Sequence, residues 1–295
     1  MRPMLNDEQK SALTLVLDGL MRRYKQRVPD VSTIIAAMIE KGLINQDSDI
    51  INDHIAFRTM GVPNLGIASL EKIFLAYGYE KRDYYYFEQK KLDAYWYSPP
   101  SDIPNLPRVF ISECRVGEFS KAVQDIIYKY TNQITSDPLN YIDLLDGHIV
   151  DKFLHSGLWP VPTWEEFQTV LAESEYASWV LFNRYYLNHF TITVQALPDG
   201  YNSIATFNDF LKSIGISLNS AGGEIKTSQD GKLIQSSSVS KEIVAQFPHN
   251  DGSVRPHRLS GSYVEFAQRL ENRDGFDSVN ADKIFESTYT DQVNK

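Results

Sequence analysis

The chain has 295 residues, of which 42% are hydrophobic and 23% are charged, a balance that is ordinary for a globular protein. Its formal net charge of −9 argues against a general nucleic-acid binder, because such proteins usually carry a basic surplus. No stretch approaches the roughly 18 apolar residues that a membrane-spanning helix needs, so no membrane partner is expected.

Cysteine usage gives a prediction about the compartment. The chain has a single cysteine, Cys114, so an intramolecular disulfide is excluded, as is usual in a reducing compartment. The first residues are not followed by the apolar segment of a signal peptide. We therefore expect a cytoplasmic protein in which Cys114 is a buried strand residue. The sequence gives no indication of the oligomeric state.

The first half of the chain predicts helices followed by a strand-rich module. Apolar residues at helical spacing predict a helical N-terminal part over residues 1–50, with Asp7 as the cap of its first helix. Residues 51–116 then read as a βαβββ module. Its predicted elements are a strand at 53–60, a helix at 69–77 and strands at 79–89, 91–97 and 108–114.

The second half repeats this order after a helical insertion. Residues 117–186 predict mainly helices, and Thr163 and Glu166 have the spacing of a capping box. Residues 187–270 read as a second βαβββ-type module, and residues 271–295 as a polar tail that is helical or loose. Its predicted elements are strands at 188–194, 224–228, 232–238, 240–247 and 262–269, a helix at 203–213 and a loop at 248–261. The fold class is therefore α+β, in a single elaborated domain.

The strand at 53–60 carries the first candidate functional residues. Successive strand residues point to opposite faces, so His54, Ala56 and Arg58 share one face. A metal ligand and a cation roughly 13 Å apart, at about 3.3 Å per residue, would suit a small diacid. The alternative is a buried, hydrogen-bonded histidine and a surface arginine.

Two further residues complete a candidate metal site. His189 opens the second module, and Glu265 lies in an otherwise apolar strand, where a carboxylate is costly to bury without a cation. Together with His54 they match the two-histidine, one-carboxylate triad of non-haem Fe(II) oxygenases. Because the three lie on separate strands, no spacing motif tests this match. Two core histidines and an exposed edge glutamate fit the same pattern.

Several segments resemble the DUF1338 family of 2-oxoadipate dioxygenase/decarboxylases, also described as hydroxyglutarate synthases. The resemblance spans about residues 30–270 and is carried by residues 52–59, 177–181, 188–191, 225–228, 233–238 and 263–266. It implies the vicinal-oxygen-chelate fold, a half-barrel sheet that hydroxyphenylpyruvate dioxygenase also uses. Better-known bacterial members are considerably longer, so their C-terminal substrate contacts are not placed on this chain.

The resemblance also implies a reaction and a ligand set. Fe(II) would be held by His54, His189 and Glu265, and Arg58 would be the catalytic residue that contacts a substrate carboxylate. With dioxygen, 2-oxoadipate or a related 2-oxo acid would become 2-hydroxyglutarate and CO2, a step of lysine catabolism. Weaker candidates for lining the substrate site are Ser236 and Tyr263.

Other interpretations stay open at this point. One fold hosts many chemistries, so a metal-dependent hydrolase, lyase or isomerase is the alternative, and a non-catalytic ligand-binding module is a third. Arg255, His257 and Arg258 form a basic segment near the last strand that could close over an anion or simply be solvated. The histidines at 148 and 155 are predicted to be structural or exposed.

Overall fold

The computed structural model describes residues 4–293. Most helices lie in the N-terminal part and in the insertion between the two modules. The elements up to the end of the insertion are α1 (Asp7–Arg27), α2 (Pro29–Glu40), β1 (Asn52–Met60), α3 (Ile67–Ala76), β2 (Glu80–Phe87), β3 (Leu92–Ser98), β4 (Arg108–Cys114), α4 (Lys121–Thr131), α5 (Gly147–Leu154), α6 (Trp164–Glu173) and α7 (Glu175–Asn183).

The remaining elements belong to the second module and the C-terminal segment. They are β5 (His189–Thr193), α8 (Ile204–Ser213), β6 (Lys226–Thr227), β7 (Leu233–Ser237), β8 (Glu242–Pro248), β9 (Val254–Ser260), β10 (Tyr263–Arg269), α9 (Ser278–Ile284) and α10 (Thr290–Val293). Within residues 4–293, no helix is both long and apolar enough to cross a bilayer.

An eight-stranded sheet joins the two modules edge to edge in the order β2-β3-β4-β1-β5-β10-β7-β6. In each module the first and last strands are parallel neighbours, β1 with β4 and β5 with β10. The modules meet where β1 pairs antiparallel with β5. The predicted α+β fold with two βαβββ-type modules is therefore confirmed. Of the three adjacent strands at the centre of the sheet, β1 comes from the first module, and β5 and β10 come from the second.

One predicted strand lies outside this sheet. The strand predicted at 240–247 is β8, and it pairs only with β9, in a separate two-stranded sheet. The loop predicted at 248–261 was wrong, since half of it is β9. A tight turn closes this hairpin: the His249 amide donates to the Ser253 carbonyl, and Gly252 adopts the positive φ of +81° that glycine tolerates best.

Local capping explains where two of the helices begin. The predicted cap of α1 was wrong by one residue. Asn6 has extended backbone angles, its side chain accepts a hydrogen bond from the Gln9 backbone amide, and its own backbone amide donates to the Gln9 side chain. Asp7 is instead the first helical residue, where its negative charge is favourable. The predicted capping box of Thr163 and Glu166 opens α6.

The apolar side of the sheet packs on helices. Phe57 of β1 contacts Phe74 of α3, and Phe266 of β10 contacts Phe207 of α8. Cys114 is fully buried in β4, as predicted. Because one side of the central strands is filled in this way, the side chains that alternate with these residues face the other, concave side.

Substitution of Phe207 tests how tightly the second module packs on α8. We expect Phe207→Ala to lower the free energy of unfolding by about 3–5 kcal/mol, because Phe207 is fully buried between Phe210 and Phe266. Urea unfolding measures this change. Tyr141→Ala is the control, since Tyr141 is 75% exposed and its loss should change stability by only about 0.5 kcal/mol. Equal midpoints for the two variants would contradict the packing.

Candidate metal centre and substrate cavity

Three adjacent strands bring together the two histidines and the glutamate predicted as ligands. His54 lies on β1, His189 on β5 and Glu265 on β10. The His189 Nε2 lies 3.3 Å from the His54 Nε2 and 3.0 Å from the Glu265 Oε2. The Glu265 Oε1 lies 3.5 Å from the His54 Nε2. One donor atom from each residue thus faces a common point.

This donor set fits a divalent metal ion. The three donor atoms lie within 4.8 Å of one another, and all three side chains are buried. Two imidazoles and one carboxylate on one side leave the opposite coordination positions open, as in non-haem Fe(II) sites. Among the described residues no other group of three histidine, cysteine or acidic side chains meets in this way. The geometry supports a metal site and leaves the identity of the metal open.

A second layer of residues orients the two histidines. The Asp53 carboxylate accepts a hydrogen bond from the His54 Nδ1 at 2.8 Å. It also accepts two hydrogen bonds from Arg269, of 2.7 and 2.9 Å. Asn188 Oδ1 accepts from the His189 Nδ1 at 3.1 Å. These partners hold the Nδ1 protons, so both Nε2 atoms are left to face the site.

Charge compensation keeps Asp53 ionised in the interior. Burial alone would raise the pKa of Asp53, but the Arg269 charge and the hydrogen bonds from His54 and Arg269 hold that pKa well below its usual range. Burial likewise opposes ionisation of Glu265, and the two facing histidines bring its pKa well below normal. Both groups are therefore carboxylates that accept hydrogen bonds.

Arg58 lies beside the metal-facing residues and is almost completely buried. Its Nη1 donates to the Thr288 hydroxyl at 2.8 Å, and its Nη2 donates to the Phe285 carbonyl at 2.9 Å. It forms no ion pair with an acidic residue anywhere in the described chain, whereas Arg269 does. A buried guanidinium without a carboxylate is well suited to an anionic ligand.

The cavity next to Arg58 holds unpaired polar groups. The Arg58 Nε, the Tyr263 hydroxyl and the Asn188 Nδ2 are buried and have no hydrogen-bond partner of normal geometry within residues 4–293. The Tyr263 hydroxyl does lie near the side chains of Arg58 and Ser287. All three residues line the same cavity as His54 and Glu265. Unpaired buried donors are costly, so their convergence indicates a place for the oxygens of a ligand.

Residues 276–288, here named the C-terminal cover, close this cavity from the outside. Phe276, Ala281, Ile284 and Phe285 form part of its wall, and the Phe276 ring lies 5.0 Å from that of Phe110 on β4. The cavity has about 20 Å³ of space for water-sized molecules, which is room for about one water. The sequence analysis predicted a polar tail, helical or loose, over these residues. It overlooked the apolar side chains of the segment, which could have indicated that the segment packs on the sheet.

The structure changes one of the two further candidates for lining the substrate site. Ser236 points away from the cavity, because its hydroxyl donates to Asn208 of α8 at 2.6 Å. Its neighbour Gln235 lines the cavity instead, since adjacent strand residues face opposite sides. The other weak candidate, Tyr263, does line the cavity, with its ring 4.7 Å from that of His189.

The basic segment around His257 does not close over this cavity. His257 stacks on Trp164 with ring centroids 3.8 Å apart, while Arg255 pairs with Asp251 and Arg258 with Glu242. All three basic residues lie in β9 and none lines the cavity. Solvation and local ion pairs account for these charges.

Substitution of Arg269 tests the layer of residues that orients the two histidines. We expect Arg269→Ala to lower the free energy of unfolding by about 3–5 kcal/mol, because it leaves the buried Asp53 charge without its partner. Thermal or urea unfolding measures the change. The control is Arg255→Ala, because Arg255 and Asp251 form an ion pair in which both side chains are more than half exposed, and such pairs contribute about 0–1 kcal/mol. A loss no larger than that of the control would contradict the role given to Arg269.

The sequence comparisons place these residues in a known family. A profile of the family described as 2-oxoadipate dioxygenase/decarboxylase matches residues 16–272. The chloroplastic 2-oxoadipate dioxygenase/decarboxylase of Arabidopsis thaliana is 41% identical over an alignment of 274 positions, and the alignment covers 84% of this chain and 71% of that protein. The corresponding protein of Oryza sativa is 39% identical over an alignment of 308 positions, which covers 95% of this chain and 79% of that protein.

Solved structures agree with the sequence comparisons. The hydroxyglutarate synthase of Oryza sativa, crystallised in complex with 2-oxoadipate, has a TM-score of 0.85 and 36% identity, covering 100% of this chain and 99% of that one. A putative hydrolase from Shewanella frigidimarina has a TM-score of 0.73 and 34% identity, covering 94% and 100%. The predicted fold and family are confirmed: the chain belongs to the 2-oxoadipate dioxygenase/decarboxylase family.

Proposed function

We propose that this chain is an Fe(II)-dependent dioxygenase/decarboxylase that converts 2-oxoadipate and dioxygen to 2-hydroxyglutarate and CO2. The observation that carries the proposal is a single closed cavity with metal-binding side chains at one end and Arg58 beside unpaired donors. The rice relative of the same family was crystallised with 2-oxoadipate. A cytoplasmic location and a role in lysine catabolism stay predictions, and both curated relatives are named as plastid proteins.

His54, His189 and Glu265 would hold the metal. Bound Fe(II) supplies open coordination positions and the redox chemistry with dioxygen. Asp53 and Asn188 keep the two imidazoles in the orientation that presents Nε2. The reaction balances without another reductant, because the oxidative loss of CO2 from the 2-oxo acid supplies the electrons.

Arg58 would bind the carboxylate of the substrate that lies away from the metal. Its present acceptors, the Thr288 hydroxyl and the Phe285 carbonyl, are neutral, and a carboxylate is a stronger acceptor for a guanidinium. The Tyr263 hydroxyl and Asn188 Nδ2 offer further donors to the same ligand. Binding would therefore satisfy buried groups that are unpaired in the closed cavity.

The substrate needs more room than the closed cavity provides. A six-carbon diacid is much larger than the single water that about 20 Å³ admits. Because Phe285 and Thr288 belong to the C-terminal cover and hold Arg58, the cover must move as the substrate enters. Its apolar wall would then exclude water during the reaction.

The first experiment measures oxygen uptake by anaerobically purified, Fe(II)-loaded protein with 2-oxoadipate. We expect uptake matched by equal amounts of CO2 and 2-hydroxyglutarate. Uptake should fall to background after chelation of the metal and in His54→Ala and Glu265→Ala, while His148→Ala, at an exposed histidine, retains it. If neither 2-oxoadipate nor a panel of other 2-oxo acids supports uptake, the hydrolase, lyase or isomerase alternative replaces this proposal.

The second experiment concerns Arg58. We expect Arg58→Lys to raise the KM for 2-oxoadipate by roughly 10- to 100-fold, because a charge-assisted bond contributes about 1.5–3 kcal/mol and lysine lacks the planar fork. The affinity for the metal should stay unchanged, since Arg58 is not a ligand. Arg255→Lys on the exposed hairpin is the matched control. An unchanged KM in Arg58→Lys would remove Arg58 from the substrate site.

A further inference from the structure

A buried chain of two amides runs from Glu265 to the C-terminal cover. The Gln235 Nε2 donates to the Glu265 Oε1 at 2.6 Å, and the Gln235 Oε1 accepts from the Asn280 Nδ2 at 2.9 Å. All three side chains are at least 97% buried. Their burial keeps bulk solvent away from these bonds, so each bond depends on the other partners in the chain.

The direction of these hydrogen bonds is fixed. An ionised Glu265 can only accept, so Gln235 must turn its amide NH2 toward Glu265 and its oxygen toward Asn280. Asn280 must then donate, which its NH2 group does. An aspartate at position 280 would have the same shape but no donor. Glu265 therefore determines the orientation of Gln235, and the side chain at 280 determines whether the Gln235 oxygen finds a donor.

Asn280 also belongs to the part of the cover that lines the cavity. It lies in α9 between the N-cap Asp277 and the cavity-lining residues Ala281 and Ile284. Its Nδ2 is also 3.3 Å from the Leu233 carbonyl on β7. A displacement of α9 would therefore break the amide chain at Asn280.

The cover has a second anchor that does not reach the metal-facing residues. The Asn219 Nδ2 donates to the Lys283 carbonyl and to the Ser287 hydroxyl, each at 2.9 Å. Asn219 is as deeply buried as Asn280 and forms no hydrogen bond to Gln235 or Glu265. It holds the same segment and offers a matched control.

We propose that Asn280 is a positioning residue that orients Glu265 through Gln235 and thereby couples metal occupancy to closure of the C-terminal cover. This inference rests on the proposed metal site, but not on the identity of the substrate. Glu265 would be fixed when it holds a metal ion, and through Gln235 it would then favour the closed position of α9. Because such coupling is reciprocal, a closed cover in turn strengthens metal binding.

The test is amide hydrogen exchange of the cover with and without metal, read by mass spectrometry on peptides from residues 276–288. Co(II) is the probe, since it tolerates air and its absorption spectrum reports coordination. In the wild-type protein we expect Co(II) to slow exchange in these peptides. In Asn280→Asp we expect this protection to be lost and the Co(II) affinity to fall by about tenfold, as for other second-layer ligands.

Two further variants separate coupling from general loosening. Asn280→Ala removes the donor without adding a charge and should behave as Asn280→Asp does. Asn219→Ala should speed exchange of the cover in both states, yet Co(II) should still add protection. Circular dichroism melting checks that each variant is folded. A merely structural asparagine at 280 would give the Asn219→Ala pattern, which would overturn the inference.

The wild-type measurement alone can also overturn the proposal. If Co(II) binds at the triad and changes no exchange in residues 276–288, metal occupancy and the cover are not coupled. This result is distinct from a failure of the proposed reaction, because oxygen uptake plays no part in it. Conversely, coupling without any oxygen uptake would retain Asn280 as a positioning residue and reject the dioxygenase.

Discussion

The buried carboxylate of Glu265 is the constraint on which the site depends. It is 1% exposed and faces two imidazoles, and a charge in such a place is costly unless a cation or hydrogen bonds compensate for it. The surrounding residues supply that compensation. Gln235 donates to the carboxylate, while the Asp53–Arg269 pair fixes His54. The central strands thus bring one carboxylate and two imidazoles together in the interior, an arrangement that could hold a divalent ion.

The curled sheet supplies the ligands, but it does not by itself make a closed site. The concave side of β1, β5 and β10 becomes a cavity only when residues 276–288 pack across it. Arg58 connects the two parts, because it belongs to β1 and holds the cover through Phe285 and Thr288. Arg58, for which we propose a role in substrate binding, is therefore also an anchor of the C-terminal cover.

Much of the site could be predicted because strand alternation is a local property. Two-residue periodicity alone places His54 and Arg58 on one face and isolates Glu265 as a charge in an apolar strand. The capping box at Thr163 and the order of both modules are likewise visible in short windows of sequence. Recognition of the family then added the expected ligand set, whose three side chains the structure brings together.

The features that were missed depend on contacts between distant residues. The sequence shows β8 as a strand, but pairing with β9 rather than with the main sheet is decided by the partners available in three dimensions. Register decides that Gln235 and not Ser236 faces the cavity, because a shift of one residue exchanges the two sides of a strand. Local sequence patterns are enough to show which chemical groups are present and which strands carry them. The closure of the C-terminal cover over these groups is visible only in the folded chain, because that contact is specified by the shape of the assembled sheet and not by any local pattern.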